Sequence, residues 1–318
     1  MRNPLSERIV DIPFSGIRKF FDIAAEMKDV ISLGVGEPDF DTPWHIRDEG
    51  IYSLEKGRTA YTSNAGLKEL KMEISKYLER RFQVSYDYDK EMMITVGGSE
   101  AIDMALRAML DPGDEVLIPQ PSYVSYMPCT VLANGRPVII NLKEENDFRL
   151  TAQELEEAIT PKTKILVLPF PNNPTGAIME RGDLEAVAKI VIEHDLYVIS
   201  DEIYAELTYL DNHVTIASLP GMRERTVLIN GFSKAYSMTG WRLGYACAPA
   251  AILEQMLKIH QYAIMCAPTT SQYAAVEAVR NGDADVKEMR EEYNGRRRYL
   301  VKRLRDMGLS CFEPYGAF

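Results

Sequence analysis

A lysine stands alone among small and apolar residues in the segment NGFSKAYSMTGWRLG, residues 230–244. This lysine is Lys234, and Arg242 follows it in the same segment. An amine in an apolar or cationic setting has a lowered pKa and becomes a nucleophile. The simpler interpretation is a solvated lysine at the start of a helix. Trp and Gly around an arginine are untypical of an exposed helix, so the segment weakens that simpler interpretation and leaves amine chemistry at Lys234 open.

A carboxylate and a phenol lie close together in the segment SDEIY, residues 200–204. Asp201 directly follows the apolar run LYVIS. An aspartate in this position either caps a helix or points into the crevice at the end of a strand. Tyr204 falls near the same side if a helical turn follows. Such a pair suits a heteroaromatic ligand, with the carboxylate on a ring nitrogen and the phenol on a ring hydroxyl.

The segment PFPNNPTG, residues 169–176, is rich in turn-forming residues. It is at least a tight loop. Its prolines restrict the backbone and are compatible with a cis peptide bond. We therefore expect Asn173 to be held rigidly near the end of the preceding strand.

Two glycines and a serine precede a helical pattern in the segment TVGGSEAI, residues 95–102. We expect Ser99 at the helix cap, with Gly98 beside it. Free amides and the helix dipole suit a phosphate at such a place. The segment has neither the G-x-G-x-x-G pattern nor a P-loop lysine. The anion site is therefore a weak prediction alone, and an arginine such as Arg242 at the same phosphate would strengthen it.

The elements around these residues indicate a doubly wound α/β domain. Helical periodicity is present in GLKELKMEISKYLERRF, SEAIDMALRAML and DLEAVAKIVIEH. Apolar runs typical of buried strands are EVLIP, KILVLPF, LYVIS, TVLIN and GYACA. Ligands in such folds bind beyond the carboxyl ends of the strands. Asn173, Asp201 and Lys234 each follow one of these runs, which predicts one shared site.

The pattern changes near Gly282, where a long charged helix is predicted over ADVKEMREEYNGRRRYLVKRLRDMG. The following segment, LSCFEPYGAF, has the apolar character of a beginning strand.

Composition narrows the classes of function. The formal net charge of -11 argues against a basic face for nucleic acid or anionic membrane. The four cysteines form no C-x-x-C pair, which is typical of reduced thiols in a cytoplasmic protein. The four histidines are isolated, so no metal site is expected. No apolar run is long enough for a membrane span.

Five motifs in order resemble the fold type I pyridoxal-phosphate aminotransferases of class I/II, the aspartate and aromatic aminotransferase group. They are GEPDFDTP, YTSNAGLKEL, PNNPTG, SDEIY and SKAYSMTGWRLG, within residues 12–318. The resemblance implies a mostly parallel, seven-stranded sheet in a large cofactor-binding domain, residues 45–282. It also implies a smaller α+β domain from residues 1–44 and from 283–318, where that domain begins. This smaller domain would close over the substrate.

The resemblance also implies a role for each motif residue. Lys234 is similar to the lysine that forms a Schiff base with pyridoxal 5'-phosphate and moves the proton during catalysis. Asp201 is similar to the partner of the pyridine nitrogen, and Asn173 and Tyr204 to the residues that hold the phenolic oxygen. Asp201 and Tyr204 are counted with Lys234 as catalytic.

The remaining implied contacts surround the cofactor and the substrate. Tyr123 resembles the aromatic residue that stacks on the ring, and Tyr61 the tyrosine that reaches the phosphate of a neighbouring subunit in a homodimer. The expected phosphate ligands are Gly98, Ser99, Ser233 and Arg242. Gly36, Tyr123 and Asn173 are expected at the substrate. Gly231 departs from the family, which often has Ser or Thr there, and this weakens the expectation for Ser233.

A second departure concerns the substrate carboxylate. The family binds it with an arginine downstream of a motif like PYGAF, and here Phe318 ends that motif. We therefore expect the 318 residues to be part of a longer protein. Side-chain specificity is expected from residues 12–17 and from that further part.

The expected activity is transfer of an amino group from an L-amino acid, dicarboxylic or aromatic, to a 2-oxo acid such as 2-oxoglutarate. A carbon–sulfur β-lyase on the same cofactor is an alternative. A non-catalytic binding module with this fold is another, although the joint presence of Lys234, Asp201 and Arg242 argues against it.

Overall fold

The computed structural model describes residues 2–14, 23, 27, 36–210 and 213–318. The helices of this part are α1 (Glu7–Val10), α2 (Trp44–Glu55), α3 (Lys68–Phe82), α4 (Gly97–Met109), α5 (Tyr126–Leu132), α6 (Ala152–Ala158), α7 (Arg181–Glu193), α8 (Ala250–Ala263), α9 (Thr269–Asn281) and α10 (Asp283–Asp306). The strands are β1 (Met92–Thr95), β2 (Glu115–Gln120), β3 (Arg136–Asn141), β4 (Thr163–Leu168), β5 (Tyr197–Asp201), β6 (Thr226–Gly231) and β7 (Gly244–Cys247).

The seven strands form one sheet in the order β1-β7-β6-β5-β4-β2-β3. Pairs among β2 to β6 are parallel, whereas β7 runs antiparallel to both β1 and β6. The expected mostly parallel, seven-stranded α/β fold is therefore confirmed. The sequence pattern missed β1 and β3.

The sheet is buried on both faces, as the unbroken apolar runs predict. Along β4, Ile165 and Val167 pack into one hydrophobic cluster, while Leu166 and Leu168 pack into another. Successive side chains of a strand point to opposite faces, so each cluster lies on its own side of the sheet. Helices cover both sides, and the carboxyl ends of the parallel strands remain at one edge.

The long helix predicted after Gly282 is present as α10. The prediction of a strand in residues 309–318 is wrong. The backbone there makes hydrogen bonds to loops and not to the edge of the sheet. The Gly176 carbonyl accepts from the amides of Tyr315 (3.1 Å) and Gly316 (2.8 Å), and the Tyr209 amide donates to the Tyr315 carbonyl.

The division into residues 1–44, 45–282 and 283–318 stays a prediction. Among the described helices, none combines the length and the apolar character that a membrane crossing requires. The cytoplasmic location expected from the sequence also stays a prediction.

Candidate active site

Three loops at one edge of the sheet bring the candidate residues together. β4 leads into the turn that carries Asn173, β5 ends at Asp201, and β6 leads into Ser233 and Lys234. These strands are mutually parallel, so their carboxyl ends meet. The peptide bonds that precede Pro171 and Pro174 in the Asn173 loop are cis.

Asp201 is a buried carboxylate with neutral partners. Its Oδ2 accepts a hydrogen bond from the Tyr126 hydroxyl at 2.7 Å, and its Oδ1 accepts one from the Ile203 amide at 3.2 Å. Burial raises its pKa, an effect that the two hydrogen bonds oppose and the charge of Glu202 reinforces. No cation pairs with Asp201 among the described residues. A positive charge placed beside it would therefore be strongly favoured.

The amine of Lys234 lies near Tyr204 at the same site. Its Nζ donates to the Gly36 carbonyl at 2.6 Å and lies 5.6 Å from the centre of the Tyr204 ring. Burial lowers the pKa of the amine, and Arg242 lowers it further, while Glu37 opposes them. More of the amine is therefore neutral and nucleophilic than in a solvated lysine.

Tyr204 supplies a phenol at the same site. The Asn173 Nδ2 donates to its hydroxyl at 3.5 Å. Burial and the nearby Asp201 raise the pKa of Tyr204, so the phenol keeps its proton and can donate it to a ligand.

An anion cradle forms where α4 begins. Gly97 has φ of 75°, and a Cβ there would lie 2.7 Å from Nη2 of Arg242. The guanidinium of Arg242 therefore lies against Gly97, the first residue of α4, and the first amides of a helix have no carbonyl partner within it. The Gly98 amide belongs to the same turn. The sequence predicted Ser99 as the helix cap, and this prediction is wrong. Val96 is the cap, and Ser99 lies inside the first turn.

The aromatic residue Tyr123 adjoins this cradle. Its hydroxyl lies 3.4 Å from Ser99 Oγ. Its ring packs edge-to-face on Tyr126, with 5.7 Å between centroids. A contact chain thus joins the cradle to Asp201 through Tyr126.

The other predicted residues are placed differently. Ser233 is buried beside Lys234. Gly36 lies against the ring of Phe318, with which a Cβ would collide. Tyr61 is 77% exposed, on the loop between α2 and α3.

This arrangement fits a flat ligand that carries an anionic group at one end and a basic ring nitrogen at the other. The anion meets Arg242 and the start of α4, and the nitrogen meets Asp201. The Lys234 amine and the Tyr204 phenol lie between them, available to a carbonyl and a ring oxygen.

A family model for aminotransferases of class I and II matches residues 28–318. The chain belongs to this family. Its activity is therefore that of an aminotransferase, and the resemblance inferred from the five motifs is confirmed.

Relatives and solved structures agree with this assignment. The aspartate aminotransferase of Pyrococcus abyssi is 49% identical over 99% of the chain and 82% of its own length. The aromatic-amino-acid aminotransferase 2 of Thermococcus litoralis is 46% identical over 99% and 82%. The Thermus thermophilus aspartate aminotransferase structure with maleate has a TM-score of 0.95 at 37% identity, covering 100% of this chain and 84% of that one.

In this aminotransferase, two residues near the site were not predicted from the sequence. Tyr126 lies in the motif PSYVSY that pointed to Tyr123, but only the fold brings its hydroxyl to Asp201. Gly97 is the glycine that lies against Arg242, whereas the sequence pattern predicted its neighbour Gly98 as a phosphate ligand. The predicted specificity loop, residues 12–17, lies partly outside the described residues.

The departure at Gly231 has a local explanation in this aminotransferase. A Cβ there would lie 3.0 Å from the Gly244 Cα, 3.0 Å from Ile203 Cδ1 and 3.1 Å from the Leu243 carbonyl oxygen. The close approach of β6 and β7 means that the Ser or Thr that the family often has there would fit only if these neighbours moved by a few tenths of an ångström.

Proposed function

We propose that this aminotransferase uses pyridoxal 5'-phosphate, held between Arg242 and Asp201, with Lys234 as the catalytic amine. The observation that carries the proposal is the buried Asp201 carboxylate, which has only neutral hydrogen-bond partners in the described chain. A buried carboxylate without a cation is costly unless a ligand supplies the charge. A protonated pyridine nitrogen is such a ligand.

Different residues of the site would bind the cofactor and transfer the proton. When bound, the cofactor supplies an aldehyde that condenses with amines and a ring that withdraws electrons. Asp201 holds the proton on the ring nitrogen. Asn173 and Tyr204 donate to the ring oxygen. The neutral Nζ of Lys234 is available to accept the proton from the α-carbon of the substrate.

The phosphate end is bound by groups with complementary charge. The guanidinium of Arg242 and the amides of Gly98 and Ser99 face it, with the hydroxyls of Ser99 and Ser233 nearby. Tyr123 would pack beside the ring of the cofactor. Gly36 borders the substrate side, where its carbonyl already accepts from Lys234.

The proposed substrates are a dicarboxylic or aromatic L-amino acid and a 2-oxo acid such as 2-oxoglutarate. The names of the similar proteins support both classes of donor, because aspartate and aromatic aminotransferases are similarly close in identity. We propose a homodimer with shared sites, in which Tyr61 reaches the phosphate of the neighbouring subunit. The exposure of Tyr61 agrees with that role.

A donor panel with a matched variant tests the proposed function. Purified protein, loaded with pyridoxal phosphate, is mixed with single amino acids and 2-oxoglutarate, and glutamate is measured. Aspartate or an aromatic amino acid is expected to give the fastest turnover. Lys234→Ala is expected to lower turnover by at least about 1,000-fold, since nucleophile and proton acceptor are lost together.

The outcome that contradicts the proposal is equal turnover by the protein and Lys234→Ala. The same assay distinguishes the β-lyase alternative, for which pyruvate and ammonia would accumulate without glutamate. Failure of the protein to take up pyridoxal phosphate would contradict the proposed cofactor.

A further inference from the structure

The turn between β1 and α4 has a demanding backbone conformation. Val96 has φ -78° and ψ 69°, and Gly97 then has φ 75°. This turn leads directly into the start of α4, where Gly97 lies against Arg242. Glycine adopts a positive φ without steric cost but has many other conformations to choose from, so neighbouring groups are needed to fix this one.

Glu100 holds this turn from inside the helix. One turn into α4, its Oε2 accepts a hydrogen bond from the Val96 amide. Thr95 assists from the other side, because its hydroxyl donates to the Gly97 carbonyl at 2.9 Å. The Val96 amide is thereby satisfied within the protein, and the amides that follow it remain for an anion.

His260 in turn holds Glu100. The imidazole lies on α8, is fully buried, and contacts Oε1 of Glu100 through Nδ1 at 2.8 Å. A carboxylate only accepts, so Nδ1 carries the hydrogen. The hydrogen bond between His260 and Glu100 connects the first turns of α4 to α8. Each oxygen of the Glu100 carboxylate then has one hydrogen-bond partner, which fixes its orientation.

A carboxylate beneath an anion site needs a reason, since it repels the anion that the helix attracts. Geometry provides one here. Both oxygens of Glu100 already accept a hydrogen bond, one from the Val96 amide and one from His260. A neutral apolar side chain could not accept the bond from the Val96 amide.

We propose that Glu100, oriented by His260, is a positioning residue that shapes the phosphate cradle at the start of α4. The proposal rests on the proposed function, because it assumes that the anion bound there is the phosphate of pyridoxal phosphate. Glu100 acts through the backbone amides and does not touch the ligand.

Two ligands that differ only in the phosphate separate this role from general stability. Affinities of the cofactor-free protein for pyridoxal 5'-phosphate and for pyridoxal are measured by absorbance titration. Glu100→Ala is expected to weaken binding of the phosphate form by about tenfold, the size of effect typical for loss of a helix-start hydrogen bond. Binding of pyridoxal should change less than about twofold, so the ratio of the two affinities falls.

Three further variants make the result decisive. Glu100→Gln keeps the shape and one acceptor, and is expected to fall between the protein and Glu100→Ala. His260→Gln should lower the ratio in the same direction but less. Asp103→Asn is the control, because Asp103 lies on the same helix and pairs only with Arg107, at 2.7 Å, among the described residues. Its ratio should stay unchanged.

The inference fails if Glu100→Ala and Glu100→Gln keep the original ratio, or if both ligands weaken equally. If Glu100→Ala does not fold, the ratio of Glu100→Gln decides alone. A parent protein that binds pyridoxal phosphate no better than pyridoxal contradicts the proposed phosphate site itself, and the two failures are thereby distinguished.

Discussion

One histidine that is not among the candidate site residues, His45, is held between two carboxylates. His45 Nδ1 lies 2.7 Å from Glu277, and Nε2 lies 3.0 Å from Asp285. Both ring nitrogens must carry hydrogen to satisfy both carboxylates, so the imidazolium form is favoured. Burial lowers the pKa of His45, but the hydrogen bonds and charges of the two acids outweigh it, and the pKa is raised above 6.5.

This raised pKa predicts how stability depends on pH. The stabilisation by protonated His45 is complete below about 6.5, the pKa of the free side chain, and is lost as the pH rises through the higher folded-state pKa. His45→Gln is expected to cost on the order of 0.5–1 kcal/mol near pH 6, a small value because the side chain is partly solvated. The cost should shrink toward pH 9. Urea unfolding of both proteins across this range measures it.

His194→Gln is the matched control, since His194 contacts one carboxylate, Glu156, at the surface. Its difference from the parent should vary less with pH. A constant difference for His45→Gln from pH 6 to pH 9 would show that the charge on His45 contributes nothing.

The sequence could not reveal the partners of His45. Glu277 and Asp285 are 232 and 240 positions away, and nothing local distinguishes His45 from the other isolated histidines. Asp201 was predictable because a polar residue at the end of a buried strand is a local signal. Tyr126, Glu100 and His260 carry no such signal, since their partners are brought to them only by the fold.

At the scale of elements, two glycines face each other where β6 meets β7. Gly231 and Gly244 are register partners in this antiparallel pair. A Cβ on Gly244 would in turn lie 2.7 Å from the Gly97 carbonyl carbon and 2.8 Å from the Gly98 amide nitrogen. Strands β6 and β7, which flank the segment that carries Lys234 and Arg242, are therefore packed backbone against backbone with the start of α4.

Gly231→Ala is expected to destabilise the protein by about 1–3 kcal/mol, because the added methyl group must displace backbone atoms. The midpoint of urea unfolding should fall without a change in slope. Gly182→Ala is the control: it lies in the first turn of α7, where no heavy atom of the described residues outside the helix's own backbone lies within 4 Å of an added Cβ. That change should be neutral or stabilise by up to about 1 kcal/mol. Equal stability of the two variants would contradict the packing argument.

Strand prediction succeeded where apolar runs were long and buried, as in β4 and β5. It missed β1, whose four residues MMIT give too short a pattern, and β3, which begins with Arg136 and Pro137. It failed in residues 309–318 because apolar character alone does not tell a strand from a coil that packs on loops. In that segment, the amides of Tyr315 and Gly316 donate hydrogen bonds to the carbonyl of Gly176 and not to a neighbouring strand.

At the scale of the molecule, the proposed dimer makes each site depend on two chains. Tyr61 is exposed, and it lies on the loop whose Asn64 donates to the Met265 carbonyl at 2.8 Å. Tyr262 and Met265 nearby are also exposed. Exposed apolar residues grouped in this way are typical of an interface.

Mixing two variants tests whether Tyr61 acts across the dimer. Tyr61→Phe alone is expected to weaken pyridoxal phosphate binding by about tenfold or more, as loss of a hydrogen bond to a charged group does. When Tyr61→Phe chains are refolded with Lys234→Ala chains, each mixed dimer should contain one site with both native residues. A population of sites with the parent affinity and turnover should then appear. If Tyr61 serves its own chain, no such population forms.

The sheet order also determines when the site can exist during synthesis. Strand β1 pairs with β7 alone in this sheet, and Thr95 has Gly244 as its partner. On the ribosome, β1 therefore emerges long before its partner has been translated, and it cannot be fixed in the sheet until the chain has grown past Cys247. Closing so long a stretch of chain is slow. The newborn protein thus acquires the proposed cofactor site late, after the parallel strands β2 to β6 have all been synthesised.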